Sequence, residues 1–104
     1  MVCAIAQSLT VRTFRAGTDK EAARKPNEEA VEVYAAWELM GREQADQYAS
    51  QLNKTLAVID LADELADCIT ACCNLAARYG LDLQAAIDRV EERNRERGRY
   101  GSQD

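Results

Sequence analysis

Apolar positions recur at helical spacing through most of the chain, and glycine, proline and capping residues punctuate the runs. The first ~16 residues mix β-branched residues with Ala and Leu without a clear period, and they read as a short helix. Thr18, followed three residues later by Glu21, is a capping-box pattern that opens a short turn, interrupted by Pro26. Pro26 suits the first position of a new helix that runs to about Met40 and stops at Gly41. Residues 42–53 are polar with scattered apolar positions and form a short helix or a loop. The strongest helical pattern runs from about Lys54 to Tyr79, with Gly80 as its left-handed stop. Asp82 then caps a last helix reaching about Arg97, and a short tail follows. The expected fold is all-α, a bundle of about four helices whose neighbours pack antiparallel.

Composition narrows the class. The chain has 104 residues, enough for one domain, which excludes a multidomain enzyme. Apolar residues make up 47% and charged residues 30%, with a single Pro and five Gly, a balance that fits a folded helical protein. No apolar run approaches the ~20 residues of a membrane helix, and the N-terminus lacks a basic start before its short apolar stretch. The expectation is a cytoplasmic protein with no membrane association. A chain this short has a thin core on its own, so the bundle is expected to be completed by oligomerisation.

Charge is unevenly laid out. Residues 1–25 carry five basic and two acidic side chains, residues 26–67 two and ten, and residues 68–104 six of each. An acidic middle is unsuited to nucleic acid, which needs a basic stripe, and suits a cation. With no histidine at all, Ser-His-Asp triads, Cys-His pairs and His-containing zinc sites are excluded. Of the four cysteines, Cys68, Cys72 and Cys73 share one helical segment without a CxxC spacing, and only Cys3 lies elsewhere. They read as small apolar side chains in a reduced compartment.

The carboxylates are the candidate chemistry. At ~100° per residue, Glu29, Glu32, Val33, Ala36 and Met40 share one stripe, flanked by Trp37 and Leu39. No Lys or Arg within the helix read from Pro26 shares that stripe, so its two glutamates need a partner from outside. The long helix repeats the arrangement: Val58, Leu61, Leu65, Cys68, Ile69, Cys72, Leu75, Ala76 and Tyr79 form its apolar face, and Asp60, Glu64, Asp67 and Ala71 a row along the edge. Glu64 and Asp67 are three apart, as Glu29 and Glu32 are, which sets each pair on one side of its helix. One ExxE is unspecific. Two such pairs on facing helices place four carboxylates around a divalent ion, and an all-oxygen ligand set selects Mg²⁺, or Mn²⁺ in its place. On the last helix, Leu83, Ile87 and Val90 make an inward stripe that continues to Asn94 and Arg97, with Arg93 close by. These three either hold phosphate oxygens beside the metal or form a solvated helix end.

Residues 29–32 (EAVE), 64–67 (ELAD) and the later segment NLAARYGLDLQAAIDRVEERNRERG together resemble the MazG-like all-α nucleoside triphosphate pyrophosphohydrolases. The resemblance covers residues 26–98 as a helical domain, leaving 1–25 as a segment of unassigned role and 99–104 as a flexible tail. It implies hydrolysis of (d)NTP to (d)NMP and pyrophosphate, Mg²⁺ held by Glu29, Glu32, Glu64 and Asp67, and a general base supplied by Glu29 or Glu32. It implies triphosphate binding at Asn94 with Arg93 and Arg97, although Val90 stands where family members often carry a lysine. It also implies a homodimer or homotetramer. The alternative from the residues is a catalytically inactive helical oligomer that binds a protein or a nucleotide.

Overall fold

The computed structural model describes residues 9–101, which fold into three helices and, among the described residues, no strand. Helix α1 spans Asp19–Ala45, α2 Gln51–Arg78 and α3 Leu83–Glu96. The all-α class stands, with three helices where about four were expected. Of the expected N-terminal helix, residues 1–8 and Cys3 with them lie outside the described residues, and 9–16 run without helix.

Helix α1 is one continuous element. Thr18 is its N-cap, accepting from the Glu21 amide at 3.2 Å while its hydroxyl donates to Glu21 Oε1 at 3.1 Å. Pro26 lies inside the helix instead of opening it, and Gly41 does not end it. Both are weak breakers here because the helix is held along its length by packing on α2, which overrides local preference. The stop comes at Asp46, whose backbone N–H bonds Arg42 O, and Ser50 starts α2 by accepting from the Asn53 amide at 3.0 Å. At the far end Gly80 turns left-handed (φ 61°) and the Leu81 amide returns to Ala76 O at 2.9 Å, the stop its sequence position predicts.

Helices α1 and α2 form an antiparallel hairpin, tied near its turn by Gln44 to Lys54 O and at its open end by Arg78 to Asp19. The residues of α1 withdrawn from solvent are 22, 26, 29, 33, 36, 40 and 43, alternating steps of four and three. On α2 the matching series is 57, 61, 64, 68, 71, 75 and 78. This is a coiled-coil seam. Its buried members are Glu29 and the alanines at 36, 57 and 71, whose small side chains let the backbones approach closely. Glu29 and Glu64 occupy seam positions, as knobs rather than edge residues. The face of α2 expected to meet the core does so only in part: Leu61, Cys68, Leu75 and Ala76 are withdrawn from solvent, while Val58, Leu65, Ile69, Cys72 and Tyr79 are exposed. The seam takes the edge of that face with Ala57, Glu64 and Ala71, and leaves the rest of it outside the hairpin.

Candidate metal centre

The seam brings the two carboxylate pairs together. Antiparallel register sets the first turns of α1 against the last turns of α2, so the 29–32 step and the 64–67 step face each other. Glu29, Glu64 and Asp67 each offer a carboxylate oxygen within 4.8 Å of the other two. Glu29 is only 7% exposed. Its Oε1 pairs with Lys25 Nζ at 3.1 Å, one turn earlier. Because α1 starts at Asp19 rather than Pro26, this lysine shares the helix, and Glu29 has the internal partner that the sequence reading denied it. The pairing is half complete: Glu29 Oε2 and Glu64 Oε2 are buried with no hydrogen-bond partner.

Crowding of like charge acts on the neighbour. The Glu32 carboxyl is pushed above its ordinary range because its protonated form can donate to Glu29 and then to Glu64, and because of the charge of both. Lys25 is pushed up in turn by its bond to Glu29. Glu32 itself is exposed, beside the seam rather than in it. Two buried carboxylate oxygens without donors, one from each helix, with the Asp67 carboxylate beside them, form an arrangement that a hard divalent cation would suit.

The cysteines are not members of this cluster, although Cys68 lies near enough for the Glu29 charge to act on it. Cys68, Cys72 and Cys73 are free thiols; Cys68 and Cys73 are half-buried and Cys72 is exposed, so the uniformly buried reading holds for two of them only in part. Burial raises the Cys68 thiol, with Cys72 adding to it, which leaves Cys68 protonated and inert.

The predicted phosphate ligands lie elsewhere. Asn94 is half-buried and Arg93 exposed on α3, and Arg97 is that helix's C-cap; none lines the cleft that opens from the carboxylates. That cleft, about 640 Å³, is bounded by α1, α2 and residues 14–17 of the preceding segment. Sequence reading missed three of its residues: Lys25, Asn74 and Arg78. Arg78 was legible in principle, since it continues the seam three residues past Leu75. Comparison with protein-family models, curated proteins and solved structures yields no match.

Proposed function

We propose that this chain is a Mg²⁺-dependent nucleoside triphosphate pyrophosphohydrolase of MazG-like type, converting (d)NTP to (d)NMP and pyrophosphate. The observation that supports it is the pair of buried, unpartnered oxygens on Glu29 and Glu64 beside Asp67. These three residues hold the ion, with Glu32 as its fourth, outer ligand or as the base. A divalent cation in this position neutralises phosphate charge and lowers the pKa of water. Glu32 suits proton abstraction because its raised affinity for a proton brings it closer to the operating pH than an ordinary carboxylate. Lys25 holds Glu29 in its ligating rotamer from the opposite side.

The chain acts as a cytoplasmic homodimer or homotetramer. Among the described residues, no large side chain is fully buried, while Val31, Tyr34, Trp37, Ile59, Leu65 and Ile87 stand exposed, an apolar surface that a second copy covers. In that assembly Arg93, Asn94 and Arg97 of α3 reach the phosphates across the interface. The same exposed surface favours a second reading, a catalytically idle oligomer that binds a protein partner. Incubation with a panel of NTPs and dNTPs plus Mg²⁺, assaying pyrophosphate, separates the two. Turnover of one or more nucleotides, reduced about 10²-fold in Glu64→Gln, supports the enzyme. No turnover with any nucleotide supports the idle oligomer.

A further inference from the structure

The cleft that begins at the carboxylates ends under a strap of extended chain. Residues 14–17 cross the open end of the hairpin and are held by their main chain. Asn74 Oδ1 accepts from the Phe14 amide at 2.9 Å, and Arg78 donates to Gly17 O at 2.9 Å and to Ala16 O at 3.4 Å. The Arg78 side chain is 8% exposed and its Nε pairs with Asp19 at the start of α1. Gly17 takes a left-handed conformation (φ 73°) that turns the strap into the Thr18 cap. The main chain of the strap is tied at three points, while the ring it carries is 63% exposed at the cleft.

The cleft is graded along its length. Glu28, Glu29 and Asp67 line one end, Arg24 and Lys25 the α1 side, and Phe14 and Asn74 the other end beside Glu21 and Arg78. From Asp67 to Arg78 is eleven residues of helix, about 16 Å at 1.5 Å per residue, room for an elongated ligand laid along α2. Its volume of about 640 Å³ falls within the ~300–1,000 Å³ of small-molecule sites. A carboxylate cluster at one end and an exposed aromatic ring on a hydrogen-bonded strap at the other match a molecule with a metal-bound phosphate tail and a flat heterocycle.

We infer that the strap cleft is the nucleoside pocket of this protein, with Phe14 stacking on the base and Asn74 and Arg78 fixing the strap that presents it. The inference rests on the metal-centre reading, because that reading sets the direction in which the nucleotide lies. Asn74 and Arg78 are positioning residues; Phe14 is the contact. The cleft's end thereby gives the N-terminal segment a role, base selection, that the carboxylates do not supply.

The test compares two anions that share a phosphate chain. Calorimetric titration of the full chain with Mg²⁺ and non-hydrolysable α,β-imido nucleotides is set beside titration with Mg²⁺ and inorganic tripolyphosphate. Phe14→Ala should weaken nucleotide binding at least ~10-fold while leaving tripolyphosphate unchanged, and Phe14→Tyr should restore it. Asn74→Ala should give the same selective loss more weakly, by loosening the strap. Mn²⁺ binding, followed by electron paramagnetic resonance, should be equal in all four chains. Equal affinity of the wild type for nucleotide and tripolyphosphate, or equal loss of both in Phe14→Ala, overturns the pocket while intact Mn²⁺ binding leaves the metal centre standing. Failure of the wild type to bind Mn²⁺ overturns the metal centre, and the pocket assignment with it.

Discussion

At the scale of single residues, Glu29 carries the functional argument. One of its oxygens is neutralised by Lys25 and the other is buried without a donor, as is one oxygen of Glu64. A buried, unpaired carboxylate oxygen costs free energy that pairing with a cation removes. Glu64→Gln keeps the shape and deletes a charge. In metal-free buffer it should melt slightly above the wild type, because crowded carboxylates repel, and the rise in melting temperature that Mg²⁺ gives the wild type should disappear. A Mg²⁺-induced rise equal in both would remove Glu64 from the site. The Glu32 shift adds a pH dependence. Protons compete with the metal for carboxylates, and a carboxyl raised above its usual range takes up its proton at a higher pH. The Mg²⁺ concentration for half-saturation should therefore begin to rise, as pH falls, above the ordinary carboxylate range. In Glu32→Gln that onset should move to lower pH.

At the scale of elements, the hairpin seam decides what the sequence showed and what it hid. Some capping residues spoke plainly: Asp82 and Gly80 stand at helix ends as read, and Thr18 caps α1 itself rather than a short turn, whereas Ser50, the cap of α2, was hidden in the polar stretch read as a short helix or a loop. The ExxE and ExxD spacings were legible too, because an i, i+3 step fixes a shared side whatever the helix packs against. The start of α1 was not, because Pro26 and Gly41 break helices only where packing fails to hold them. Taking the helix from Pro26 also hid Lys25 and the first seam residue, Ala22. The facing side of α2 was legible only in part: Leu61, Cys68 and Leu75 were read as inward and are, but the seam shares them with Ala57, Glu64 and Ala71, which carry less apolar signal than the outward Val58, Leu65 and Ile69. Residues that serve a site weaken the hydrophobic signal of the positions they occupy.

Two substitutions test this account of the helices. A Cβ at Gly41 meets nothing within 4 Å, and Gly41 lies inside α1, so Gly41→Ala should stabilise the fold by about 0.5–1 kcal/mol in urea denaturation. Ala71 is 4% exposed in the seam between the carboxylate helices. Ala71→Leu should destabilise by about 1–3 kcal/mol through overpacking and, by spreading α1 from α2, abolish the Mg²⁺-induced rise in melting temperature. An unchanged melting curve would mean that the seam is not where the hairpin closes.

At the scale of the whole molecule, a single chain is open. Its radius of gyration is 16.8 Å, against ~13 Å for a compact domain of this length, and its extents are 48 × 44 × 21 Å. Most of the large apolar side chains on α3 and on the outer faces of α1 and α2 remain in solvent. Light scattering at micromolar concentration should therefore give a multiple of 11.6 kDa. A stable monomer would show that the helices close on themselves in solution and would overturn the proposed oligomer, and with it any phosphate contact from α3 across an interface.

The reaction itself is tested most directly by where oxygen from water enters the products. Each dNTP would be incubated with the wild-type chain and Mg²⁺ in ¹⁸O-labelled water, and the first products analysed by mass spectrometry. The account predicts dNMP and pyrophosphate in one step, with the label in the monophosphate, because the triphosphate lies with its α-phosphorus beside Glu29, Glu32, Glu64 and Asp67. Appearance of dNDP and labelled orthophosphate as first products would contradict it.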